Sequence, residues 1–149
     1  MTPRERFRRI SERVLALKGD KAAIARGMAL GVLIGATPTI PFHTVLVLGL
    51  GFLLRQHLGA AYLGSWIVSN PLTIPVLYVA QYELGRVLTG MGPGGLELTD
   101  YSLVAIFAMG GKILIPLLVG GLVTAPFLAL AAFWLTRRLL EKAGARSRP

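Results

Sequence analysis

Cysteine is absent from the 149-residue chain, which excludes disulfides, thiolate metal sites and cysteine nucleophiles and leaves the redox compartment unreadable. Acidic side chains are scarce, seven against sixteen Lys and Arg, and none lies between residues 21 and 82. Histidine is limited to His43 and His57, and no HExxH pair occurs. A metal centre or an acid–base pair therefore lacks its parts, and the sequence reads as a non-enzyme without cofactor or metal. Gly64-Ser65-Trp66 and Gly110-Gly111-Lys112 are fragments of serine-hydrolase and phosphate-loop patterns. Lys112 is followed by Ile113, and the glycine required five residues before Gly111 is missing, so both fragments are coincidental.

Apolar residues and positive charge are abundant. The chain is 54% apolar with mean hydropathy +0.63, more than ordinary soluble domains carry. Its net charge of +9 collects at the two ends. Residues 1 to 26 hold eight basic and three acidic side chains, and residues 137 to 148 hold five and one. A nucleic-acid binder would share the pI near 10.9, but the apolar stretches between the ends would not stay dissolved as a free domain. The expected partners are membrane lipids, anionic ones above all, and not nucleic acid. The first 22 residues are too polar, and the region behind them too long and broken, for a cleaved secretory signal.

Thr2, Pro3 and Glu5 mark a helix start, and Phe7, Ile10, Val14 and Leu17 recur on one face opposite Arg6, Arg9 and Arg13. Residues 1–20 thus read as a basic amphipathic helix ending near Gly19, either lying in a headgroup layer or packed on the rest of the protein. The membrane domain is expected over 21–136 and a basic cytoplasmic tail over 137–149.

Within that domain, residues 27–54 carry no formal charge but are broken at Thr37-Pro38-Thr39-Ile40-Pro41. Proline removes a backbone donor and disfavours helix at the preceding residue, so Pro38 and Pro41 predict two half-helices, a bent span or a re-entrant hairpin. Residues 58–82 repeat the arrangement, with Asn70-Pro71-Leu72-Thr73-Ile74-Pro75 as the break, and Thr-Ile-Pro recurs 34 residues after its first occurrence. Paired breaks of this kind point to a transporter-type site, since irregular backbone at membrane depth is tolerated only against protein or a watery cavity. A loop over 87–100 and a short helix over 101–109 follow, then a 23-residue uncharged span, 113–135, closed by Arg137 and Arg138. Pro116 and Pro126 are compatible with a membrane helix. Trp66 and Trp134 read as interface anchors or core residues, Trp134 being the better anchor beside Arg137. With both basic ends cytoplasmic, the number of crossings is even.

Gly27, Gly31 and Gly35, four apart, form a small-residue face for close helix packing against this chain or a second copy. A broken helix leaves N–H groups at one half-helix start, and Thr37, Thr39, Asn70 and Thr73 supply further polar atoms. Arg26, Arg55 and Arg86 lie just outside the apolar segments, within snorkelling reach of a lipid phosphate. The competing reading is that these polar side chains merely satisfy backbone groups exposed by the prolines.

The run Ala25-x-Gly27-x-Ala29-x-Gly31-x-x-x-Gly35-x-x-Pro38, with Gly64-Ser-Trp-Ile-Val-Ser-Asn70-Pro71-Leu-Thr73 and Tyr82-x-x-Gly85, resembles the bacterial membrane family DUF2062 over most of residues 20 to 135. The resemblance implies a prokaryotic membrane location and carries over no catalytic residue, and with the apolar segments the chain is expected to be a multi-pass protein of the bacterial inner membrane. Architecturally the paired breaks are also similar to the re-entrant segments of small lipid-phosphate transporters of the DedA group, although no carboxylate lies at the breaks. The expectation is an all-α, polytopic helical membrane protein with Pro/Gly-broken, re-entrant helices that binds or translocates an anionic lipid or polyprenyl-phosphate headgroup. The alternative is a scaffolding membrane protein that oligomerises through its glycine faces.

Overall fold

The computed structural model describes residues 3–38, 42–92 and 110–146, which are all-helical, with six helices and no strand among them. They are α1 Pro3–Leu15, α2 Lys21–Ala36, α3 His43–Leu53, α4 Leu58–Val68, α5 Thr73–Leu88 and α6 Gly111–Arg146. Thr39, Pro41, most of the expected 87–100 loop and the expected helix at 101–109 lie outside the described residues.

Local chemistry sets the helix limits. α1 stops at Leu15, short of Gly19, which has φ +146° in the linker to α2. Asp20 caps α2, its carboxylate accepting from the Ala23 N–H at 2.9 Å. α2 ends because Pro38 forces Thr37 into extended backbone, φ −88° and ψ 134°. His57 caps α4 with Nδ1, which accepts from the Ala60 N–H at 3.1 Å, while Nε2 lies 3.0 Å from the Lys18 carbonyl. Only the neutral tautomer with its proton on Nε2 satisfies both contacts.

The second break lies earlier than the proline pattern suggests. It covers Ser69 to Leu72, and α5 leaves it at 74° to α4. Pro75 does not break anything: it is the third residue of α5, in a first turn that needs no N–H from it. α6 likewise runs on past Arg137 and Arg138 to Arg146, supported by an Arg137–Glu141 ion pair at 2.8 Å and by Leu140, which is buried.

Three glycine contacts define how α2 and α4 run. A side chain on Gly27 would meet the His57 carbonyl at 2.6 Å, one on Gly31 the Ala61 carbonyl, and one on Gly35 the Ser65 carbonyl at 2.9 Å. Both residue numbers rise together, so the helices are parallel, and Gly64 returns the contact against the Met28 carbonyl. The partner of the glycine face is therefore a helix of the same chain. α3 must run back between these two parallel helices, and its Val47 is buried with Ile34 and Ala61. α6 is antiparallel to α5: Gly85 faces the Pro116 carbonyl and Gly120 the Gln81 carbonyl. α2 packs chiefly against α4 and α6.

One end of the bundle gathers the start of α2, the α3–α4 turn and the end of α6. Val14, Ile24, Met28, Ala60 and Leu140 form a buried cluster there, with Ile10 and Leu17 packed on it. The second half of α1 is thus docked on the bundle, whereas Phe7 stays 57% exposed.

The surface is more apolar than that of a water-soluble bundle. The closest helix contacts are made at Gly, Ala and Ser beside buried clusters such as Ile24, Met28 and Leu140, whereas Phe52, Val76, Leu122 and Phe127 are each more than 70% exposed. α6 is long and apolar enough to cross a membrane, and the bent α4–α5 pair passes the same test if taken as one span.

Candidate functional site

The two breaks meet. Ser69 Oγ, in the second, donates to the Gly35 carbonyl at 2.9 Å, at the end of α2 where the first begins. The last four carbonyls of a helix have no intrahelical partner, and each one in α2 is accounted for. Leu33 accepts from Thr37 Oγ1 at 2.8 Å and Ile34 from the Thr37 N–H at 3.1 Å. Gly35 accepts from Ser69, and Ala36 accepts from Gln81 Nε2 at 2.8 Å. Side chains from the α4–α5 break and from α5 itself therefore close the end of α2.

Gln81 is the centre of this junction, 0% exposed, where α2, α5 and α6 converge. Its second N–H donates to Thr124 Oγ1 at 2.9 Å, and Thr124 in turn donates to the Gly120 carbonyl at 2.8 Å. These partners fix the amide orientation, because both require a donor from Gln81. The remaining atom, Gln81 Oε1, is buried and accepts no hydrogen bond from the described residues. Pro38 closes the junction over α6, its Cδ 2.9 Å from where a side chain on Gly121 would begin.

Asn70 organises the second break. Its Nδ2 donates to the Ile67 carbonyl at 2.8 Å, and its Oδ1 accepts from the Leu72 and Thr73 N–H groups at 3.1 Å each. The Ile74 N–H is taken by the Asn70 carbonyl at 3.0 Å, and Pro75 has none. The N-terminal donors of α5 that would have faced an anion are thus occupied by the chain itself. Thr73 Oγ1 turns to the Ile67 carbonyl at 3.4 Å. Pro71 lies in the turn between the helices.

The arginines do not join this junction. Arg26 is exposed and lies eleven residues before Thr37 on α2, about 16 Å along the axis. Arg55 lies in the α3–α4 turn, two residues before His57, whose N–H reaches the Ala23 carbonyl at 3.4 Å. Arg26 and Arg55 therefore belong to the end of the bundle where Lys18, Lys21, Arg137, Arg138 and Lys142 gather. Arg86 is on α5 beyond Gln81, tied to Glu83 at 2.7 and 3.0 Å. Of the seven side chains expected around one anion, Thr37, Asn70 and Thr73 come together as backbone caps, Thr39 lies outside the described residues, and the three arginines are elsewhere.

Arg55 has an unusual backbone, with φ +52°. Its N–H reaches the Phe52 carbonyl at 3.0 Å and the Gln56 N–H reaches the Gly51 carbonyl at 2.8 Å, which is a Schellman termination of α3. Glycine is the usual residue at that left-handed position, since a side chain there costs roughly 1–2 kcal/mol.

Sequence reasoning missed Ser69, Gln81 and Thr124. The available signal was an amide in an otherwise apolar, uncharged segment, a setting in which polar side chains bond across helices. Among the described residues no group of three or more His, Asp or Glu is placed to hold a metal ion.

Fold and junction together define an all-helical protein with glycine-lined seams, an internally capped pair of helix breaks and one helix fit to cross a membrane. The chain belongs to the family DUF2062, described as an uncharacterized protein conserved in bacteria, whose sequence model matches residues 4–148. No curated protein and no solved structure matches the chain.

Proposed function

We propose that this chain is a bacterial inner-membrane protein that holds anionic phospholipid headgroups at its basic end. In this reading α2 and α3 form a re-entrant hairpin entering from the cytoplasmic side. The bent α4–α5 pair and α6 make the two crossings, and both termini are cytoplasmic. The exposed large apolar side chains on α3, α5 and α6, with glycines at the closest helix contacts, support burial in lipid. Cations at one end suit the negative cytoplasmic leaflet, at about 1 kcal/mol each near the surface.

Arg55 is the single observation that carries the reading. A charged residue where glycine would relieve the backbone is a cost to folding that another role must offset, and headgroup binding is such a role because the α3–α4 turn lies against the linker that carries Lys18 and the start of α2 that carries Lys21. The breaks support a structural role instead: their polar groups cap one another, so the lipid phosphate is read at the end of the bundle and not at the prolines.

The test is the fraction of motionally restricted spin-labelled lipid around protein reconstituted in phosphatidylcholine. Phosphatidylglycerol should associate several-fold more strongly than phosphatidylcholine, and the preference should shrink as salt screens it. Equal association of the two lipids at low salt would refute the proposal.

A further inference from the structure

A cleft of about 600 Å³ opens between α1 and α4, beside the basic end, and lies within the size range of small-molecule sites. Its walls are two complementary stripes: Arg13 from α1 with Ala16 and Leu17 from the linker that follows it, and Gly59, Tyr62, Leu63 and Trp66 from one face of α4. Gly59 faces Leu17, since a side chain there would begin 3.5 Å from Leu17 Cδ2, in ordinary contact. The lining is apolar apart from three groups, and all three are donors or cations. Arg13 makes no ion pair among the described residues, although Arg8 on the same helix is paired with Glu12 at 3.2 Å. Tyr62 and Trp66 are 50% and 54% exposed, and their hydroxyl and indole N–H have no hydrogen-bond partner among the described residues. No acidic side chain lines the cleft.

An apolar trough whose polar atoms are one guanidinium and two aromatic donors fits an anionic amphiphile, with charge at one point and hydrocarbon along the rest. We propose that this cleft holds one anionic phospholipid, with its phosphate on Arg13 and an acyl chain against Leu17 and Leu63. The assignment rests on the lipid-binding reading above and gives it a discrete site. Tyr62 and Trp66 donate to the phosphate or ester oxygens, the arrangement aromatic side chains adopt where an apolar body meets a polar layer.

Tryptophan quenching tests it, because the chain has only Trp66 and Trp134. In full-length Trp134→Phe protein in nanodiscs, Trp66 reports the cleft; in Trp66→Phe protein, Trp134 reports the surface beside Arg137, whose guanidinium is 5.8 Å from its ring. Brominated phosphatidylglycerol should half-quench Trp66 at a mole fraction about fivefold lower than brominated phosphatidylcholine. Arg13→Gln should abolish that preference, and Arg13→Lys should retain most of it. Glycerol phosphate, with the same anion and no chain, should fail to displace the brominated lipid; displacement by it would assign the site to free phosphate and overturn the proposal. Equal quenching of Trp66 by both lipids, with Trp134 still favouring phosphatidylglycerol, would overturn the cleft and leave the basic end standing. No preference at either tryptophan would overturn both.

Discussion

The α2–α4 seam and the α5–α6 seam use glycine in different ways. Along α2–α4, Gly27, Gly31 and Gly35 from one helix and Gly64 from the other bring two parallel backbones together over their whole contact, with Ala60, Ala61 and Ser65 filling the rest. The α5–α6 seam has one reciprocal crossing, Gly85 on Pro116 and Gly120 on Gln81, flanked by a buried cluster of Tyr78, Tyr82 and Leu117. Both seams bring backbone against backbone at their glycines, but the first does so at four points along two parallel helices, whereas the second does so at one crossing inside ordinary side-chain packing.

Substitutions at the glycines should separate the two most sharply. Gly31→Leu drives a side chain into the Ala61 carbonyl and should cost about 4 kcal/mol or more, read as loss of folded protein in mixed-micelle denaturation. Gly49→Leu, where nothing lies within 4 Å, should stay within about 0.5 kcal/mol of wild type. In the second seam Gly120→Ala drives a methyl group into the Gln81 carbonyl, which is backbone, and should cost about 3 kcal/mol. A variant close to wild type in stability would show that this crossing can open.

The polar junction that ties the seams together should give smaller effects. Gln81→Leu removes the donor to the Ala36 carbonyl and leaves that acceptor buried and unsatisfied, for about 2 kcal/mol in the same assay. Asn70→Ala removes the cap shared by the Leu72 and Thr73 N–H groups and should cost about 1 kcal/mol.

The contrast between seams also explains what could be read from the residues. Three glycines four apart on one helix are a pattern, so the packing face of α2 was visible, although not that α4 would fill it. Gly85 and Gly120 lie 35 positions apart in sequence, one from each helix, and such a pair has no period to find. Pro38 correctly marked the end of α2, because a proline acts on the residue before it whatever the tertiary context. Pro75 misled for a related reason, since the first turn of a helix needs no N–H and proline is at home there. Grouping Arg26 and Arg55 with the threonines and Asn70 failed on distance: a helix converts eleven residues into about 16 Å, and nothing in spacing along the chain says which ends of α2 and α4 share a level. Their parallel course, imposed by the return of α3, sets that level.

The central claim is that lipid phosphate is held at the basic end and that the breaks only cap one another. It is tested most directly by measuring spin-labelled phosphatidylglycerol association for Arg55→Gly and Asn70→Ala side by side. Arg55→Gly relaxes a left-handed backbone and removes one cation, so stability should rise by about 1 kcal/mol while association falls by up to about fivefold. Asn70→Ala should lose stability and leave the association of the folded protein unchanged. Association lost in folded Asn70→Ala and kept in Arg55→Gly would contradict the account.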